Sequence, residues 1–307
     1  MLKYILPQNK PVSKELFTLA FPVILSNLSR VLMSVVDVAM VGRLGAAALA
    51  ANGMGAMLFW GALSLAIGIR TGVQTVASRR LGQKKHDQCG TALHNGLLMA
   101  TAYGLPASIA GWLLAKDFIP FFINDIKATP LTIEYSSIVF LGLLFSAYSF
   151  VFQGFYTGVE KTKIHMRVSI TSNVFNVYLN AGLIYGSEGV KLFFSETAPP
   201  LSFLSHLWQW TTFPAMGVKG AAIATLVASL WMFVHYGVYL FSKQIKSRFA
   251  VLSLSVDGVM MNRQLRLAAP QGLQEMFIAV GWSMFYKIVG MIGLIELATT
   301  ELLFTIM

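Results

Sequence analysis

The sequence has 307 residues, of which 56% are hydrophobic and only 12% charged, with a mean hydropathy of +0.65. Soluble domains carry about 25% charged residues, so these values exclude a water-soluble globular domain. With Cys89 as the lone cysteine they also exclude a disulfide scaffold or zinc ribbon.

Residues 1–14 are short, polar and broken by Pro7 and Pro11; they read as a cytoplasmic tail without a cleavable signal. A membrane helix needs roughly 20 apolar residues. Stretches of that kind follow at 16–40, 46–78, 91–115, 131–153, 168–186, 217–242 and 267–295. An eighth begins near 297 and runs to Met307. Period-two alternation is absent, so the spans are helical and the fold class is an all-α polytopic membrane protein with seven complete crossings. Residues 187–216 read as a long external loop, in which Leu201 to Trp210 lies on the membrane surface with Trp208 and Trp210 at headgroup level. Residues 243–266 read as a basic cytoplasmic linker.

The net charge of +10 is a topology signal. Fifteen of the 23 Lys and Arg residues fall in the N-terminal tail and alternate loops, against five in the opposite loops. Basic loops stay inside, so the N-terminus is cytoplasmic and a nucleic-acid partner is not expected. Arg30, Arg70 and Lys287 remain, all inside spans.

A shift of 248 residues superposes two segments of the chain. Leu19, Ala20, Pro22, Val41, Gly42, Gly45, Leu49 and Ala50 match Leu267, Ala268, Pro270, Val289, Gly290, Gly293, Leu297 and Ala298. Each copy is a helix with an early proline, a tight Val-Gly-x-x-Gly connection and a second helix opening on Leu-Ala. Six spans precede the second copy, so both copies enter from the same side and form parallel repeats. A full second repeat needs roughly 180 residues beyond Met307, and the chain reads as a fragment on that expectation.

Five segments in order resemble the multidrug and toxic compound extrusion (MATE) family. Asp37-Val-Ala-Met-Val-Gly-Arg-Leu-Gly45 with Ala48-Leu-Ala-Ala-Asn-Gly53 is similar to the end of that family's first helix. Gly154-x-x-x-Gly158-x-x-x-Thr162-Lys163 looks like its link between helices four and five. Asn173-x-x-Asn176-x-x-x-Asn180 resembles its fifth helix, and Gly217-x-x-Gly220-Ala-Ala-Ile-Ala-Thr225 the opening of its sixth. Leu267 through Ala298 resembles its seventh helix and following turn. The resemblance implies twelve helices in two six-helix lobes around a cavity. This chain then supplies the N-lobe over 15–242 and, over 267–307, the first helix and a stub of the second of the C-lobe. It also implies a monomeric secondary antiporter in the bacterial inner membrane, exporting organic cations or amphipathic compounds in exchange for H⁺ or Na⁺, with no cofactor and with lipids as its surroundings. A lipid-linked oligosaccharide flippase of the same superfamily is the alternative, and an intramembrane enzyme a third reading that lacks paired catalytic groups.

The polar residues inside the spans carry the site. Asp37 lies seven residues, close to two helical turns, after Arg30, so both project from one face. A carboxylate at membrane depth marks an ion or proton route unless it is paired, here with Arg30. The resemblance assigns cation coupling to Asp37. Asn173, Asn176 and Asn180 form one stripe at i, i+3 and i+7. Their amide oxygens suit Na⁺ or a protonated acid, and interhelical hydrogen bonding is the plainer role, above all for Asn173. Thr225 joins Asp37, Asn176 and Asn180 through the resemblance. Arg30, Asn173, Glu275 and Lys287 are accessory candidates. Glu275 departs from the family pattern, which places the C-lobe acid nearer Ala279. Arg70 and Lys287 either snorkel to an interface or line the cavity, with the interface favoured for Arg70. Gly68 with Gly72, and Gly154 with Gly158, have the spacing of helix packing. The five histidines lack metal-ligand spacing, and no phosphate-binding loop is present.

Overall fold

The computed structural model describes residues 10–197, 199–210 and 212–306. Most of the expected tail, residues 1–9 with Lys3 and Pro7, lies outside the described residues. Helices follow in the order α1 (Lys10–Gly42), α2 (Ala46–Gly82), α3 (His86–Phe122), α4 (Ala128–Leu141), α5 (Leu143–Gly158), α6 (Thr162–Thr197), α7 (Val218–Leu240), α8 (Lys243–Phe249), α9 (Gly258–Ile292) and α10 (Leu294–Ile306). A 3₁₀ segment, Pro199–Trp208, sits between α6 and α7. The α1–α2 corner turns on Gly45, whose φ of 105° is open to glycine at little cost.

Five helices (α1, α2, α3, α7 and α9) are long and apolar enough to cross a membrane, and the α4–α5 pair, bent by 49°, makes a sixth. Seven crossings were expected, and two features account for the difference. The fourth span breaks at Gly142 into α4 and α5. The fifth, on α6, has its hydropathy lowered by the three asparagines, whose side chains face protein and not lipid. Leu16, Phe17 and Ile24 on α1 are each about 60% exposed, as the lipid-facing side of a span should be.

The expected loop 187–216 is mostly folded. Gly186, with φ 73°, kinks α6 and the helix continues to Thr197. The following 3₁₀ segment folds back on it. Trp208 donates to the Tyr178 carbonyl at 2.8 Å and stacks on the Tyr178 ring at 5.0 Å between centroids. It is therefore buried against α6 and not free to anchor at headgroups, whereas Trp210 stays 73% exposed.

α2 is the central helix. Half of its apolar window is buried, against 11% for α1. Its residues Val73 and Ala77 pack with Leu93 and Ala100 of α3 and Val151 and Phe155 of α5, all fully buried. Close approach uses the small residues read as packing motifs. Gly154 and Gly158 of α5 lie against the backbone of α2 at Arg70 and Gln74, and Gly68 and Gly72 of α2 lie against α9 at Ala268 and Gln264. The repeat also meets itself. Gly53 on α2 faces the carboxylate of Glu301 on α10, the residue 248 positions later, and a Cβ at Gly53 would overlap that carboxylate.

The segment expected as a linker is docked. Ile245 and Phe249 of α8 are buried while Lys243, Lys246 and Arg248 stay exposed. His94 Nε2 bonds the Val251 carbonyl at 2.9 Å and its Nδ1 accepts from the Ser255 amide at 3.2 Å, which a ring protonated at Nε2 satisfies. Asn95, fully buried, donates to the Asp257 carbonyl at 3.0 Å and accepts from the Asp257 amide at 3.2 Å. The Asp257 side chain in turn caps α9, accepting from Val259 and Met260. α9 consequently starts at Gly258, nine residues before its apolar stretch.

Asn95→Ala removes both bonds to Asp257. Each is worth roughly 0.5–1.5 kcal/mol, so hydrogen exchange over 250–257 should quicken by about tenfold. Unchanged protection there would show that Asn95 does not hold the linker.

Candidate functional site

α1 and α6 run side by side, and their polar stripes meet at Asp37. Asn180 Nδ2 donates to Asp37 Oδ1 at 2.6 Å and to Asn176 Oδ1, one turn away, at 2.9 Å. Both asparagines are almost wholly buried, at 2% and 1% exposure. Among the described residues Asn180 Oδ1 and Asn176 Nδ2 have no hydrogen-bond partner. An unpaired buried amide atom costs free energy, so these two atoms are open to a partner. The oxygens gathered here, one carboxylate and two amides, are hard donors of the kind that take H⁺ or an alkali cation.

Arg30 does not neutralise this acid. Among the described residues the one ion pair is Lys219–Glu134 at 3.6 Å, both half-exposed on the surface. Tyr185 on α6 donates to the Met40 carbonyl at 2.6 Å and ties the C-terminal end of α1 to α6 near the acid.

Thr225 on α7 donates to the Ala221 carbonyl at 3.0 Å, leaving its oxygen able to accept. Tyr135 of α4 packs against α2 near the Gly53–Glu301 contact. Tyr135 is 5% exposed and its ring packs on Gly55 of α2. The signal for Tyr135 in the sequence is weak, a tyrosine inside the fourth apolar span. Glu301 escaped notice too. It is buried, accepts from the Tyr286 hydroxyl at 2.7 Å and lies on the repeat-related contact with Gly53. The 248-residue offset, carried four residues past Leu297, was the available signal.

The accessory candidates scatter. Asn173 donates to Ser29 on α1 at 2.9 Å, an interhelical bond one to two turns from the Asp37 cluster. Glu275 accepts from Gln271 of its own helix at 3.1 Å. Lys287 places its Nζ 3.2 Å from the Phe121 ring centroid on α3. Arg30 and Arg70 together line a cavity of about 180 Å³ bounded by α1, α2, α5, α6 and α7. Of the two places open to Arg70, an interface or the cavity, the structure shows it lining the cavity.

The MatE family model matches residues 22–181, just over half of the chain. A probable multidrug resistance protein NorM of Photorhabdus laumondii is 28% identical over 238 residues, covering 77% of this chain and 47% of that protein. One of the same name from Mesorhizobium japonicum is 24% identical over 222 residues, covering 70% of this chain and 41% of its own. In structure the chain is similar to a multidrug resistance MATE family transporter of the MOP superfamily in its inward-facing conformation, with a TM-score of 0.72 and 20% identity over 94% of this chain and 60% of the other. The chain thus spans about half the length of the curated relatives it matches. Six helices of an N-lobe, followed by the first helix and a stub of the second of a C-lobe, agree with that extent. This chain belongs to the MatE family, whose members are multi-pass membrane transporters and not enzymes.

Proposed function

We propose that this chain is the cation-coupling lobe of a secondary antiporter that exports amphipathic organic compounds in exchange for H⁺ or Na⁺. It sits in the inner membrane with its N-terminus and basic loops in the cytoplasm, and works as a monomer when both lobes are present. The relatives' names, multidrug resistance proteins, support the efflux part of this reading. The observation that carries the coupling part is Asp37, a carboxylate without a basic partner, bonded to an asparagine whose other amide atom is unpaired.

Ionised, Asp37 holds Na⁺ with the amide oxygens of Asn176 and Asn180 and the Thr225 hydroxyl around it. Protonated, it donates to the Asn180 oxygen once that amide turns over. Either event rewrites the bonds between α1 and α6. A ligand that favours one arrangement of those helices shifts the population toward it. Cargo bound in the adjoining cavity favours the other arrangement, and the two affinities are linked reciprocally. Exchange follows from that linkage.

The test is efflux from proteoliposomes containing the twelve-helix protein that carries this lobe, under separately imposed pH and Na⁺ gradients. One gradient should drive export and its collapse should stop it. Export indifferent to both gradients overturns the antiporter.

A further inference from the structure

Arg30 from α1 and Arg70 from α2 reach the same cavity, and among the described residues no carboxylate lines it. Neither guanidinium has an ion-pair partner. Arg70 is half-buried, its Nε has no hydrogen-bond partner, and its guanidinium lies 5.6 Å from the Phe150 ring centroid. Glu275 of α9 forms no ion pair with Arg70, and its Oε1 already accepts from Gln271 at 3.1 Å. His165 brings no free donor. Its ring nitrogens bond Gln153 at 3.1 Å and the Tyr236 hydroxyl at 2.6 Å.

A guanidinium donor buried without an acceptor costs free energy, and its planar fork matches the paired oxygens of a carboxylate or phosphate. Two such forks in one cavity repel an organic cation and attract an anion. Trp60, Leu63, Phe150 and Met232 form an apolar part of the wall that suits an alkyl chain, and serine, amide, histidine and tyrosine side chains form the rest.

We propose that this cavity binds the anionic head group, carboxylate or phosphate, of an amphipathic molecule, with Arg30 and Arg70 holding its oxygens. The proposal rests on the transporter reading and names the charge of its cargo. The organic cations expected from the family resemblance meet like charge at this point of the lobe.

The experiment compares two probes with one tail and opposite charge, octyl phosphate and octyltrimethylammonium, on the 307-residue chain in phosphatidylcholine nanodiscs by titration calorimetry. Octyl phosphate should bind at least tenfold tighter, as loss or gain of charge-assisted bonds commonly gives. Arg70→Gln and Arg30→Gln should each weaken it by about tenfold, with Arg70→Lys between parent and Arg70→Gln. Arg30 is exposed, so Arg30→Gln keeps the test open if Arg70→Gln does not fold. Equal or tighter binding of the cation, or octyl phosphate affinity unchanged in Arg30→Gln, overturns the proposal. Repeating the titration with phosphatidylglycerol in the disc identifies the source of the anion. Competition that vanishes in Arg30→Gln assigns a lipid head group, and no competition assigns a free amphiphile; both support the shared chemistry. Loss of gradient dependence in the twelve-helix protein, with this charge preference intact, would sink the antiporter reading alone.

Discussion

Asp37→Asn is expected to reduce gradient-driven export by the twelve-helix protein roughly 10- to 100-fold, with normal amounts of folded protein in the membrane. The amide keeps the shape of the side chain and can still bond Asn180, which now sits 2.6 Å away. It cannot gain or lose a proton, and it offers a cation no net charge. Bonds to charged groups contribute roughly 1.5–3 kcal/mol, and each 1.4 kcal/mol is about tenfold in affinity, which sets the range. Insertion should not suffer, because an uncharged amide costs less in the bilayer than a carboxylate. The check is initial efflux rate against imposed gradient, normalised to protein recovered after solubilisation. Parental rates with unchanged gradient dependence would remove Asp37 from the coupling role.

Gly154→Val is expected to be the most damaging packing change among those considered, lowering stability by roughly 1–3 kcal/mol or more. Gly154 faces the backbone carbonyl of Arg70, and one turn on, a Cβ at Gly158 would stand 2.7 Å from the Gln74 carbonyl oxygen. Carbonyl groups inside a helix cannot retreat as a flexible side chain can. Three added carbons must therefore push α5 away from α2 and loosen Val151 and Phe155, both fully buried at that contact. Leu113→Ala, at a 57% exposed position on α3, should stay within about 0.5 kcal/mol of the parent. Unfolding midpoints in a mild non-ionic detergent compare the three. A Gly154→Val midpoint equal to that of the parent would show that α2 and α5 do not depend on this close approach.

The sequence by itself determined that the chain is a bundle of membrane helices, where most of them lie, and that it begins to repeat after 248 residues. These follow from local quantities. An apolar run of sufficient length has no other stable state in lipid than a helix. The asparagine stripe on α6 was legible for the same reason, since a period of 3.6 residues places i, i+3 and i+7 on one face whatever surrounds it. Which neighbour that face meets is a different matter. The tertiary structure divided the stripe, giving Asn173 to Ser29 and Asn176 with Asn180 to the Asp37 cluster. It also set Tyr135 against Gly55 and Glu301 against Gly53 on α2, from helices distant in sequence. Trp208 and Arg70 carry the same lesson in reverse. Hydropathy measures the average cost of moving a segment from water to lipid, so it placed a tryptophan at the headgroups and an arginine at an interface. Only the packing of α6 under its cap, and of α2 among its neighbours, decided that one is buried in protein and the other points into a shared cavity, because each fate depends on groups that are neighbours in space and not in sequence.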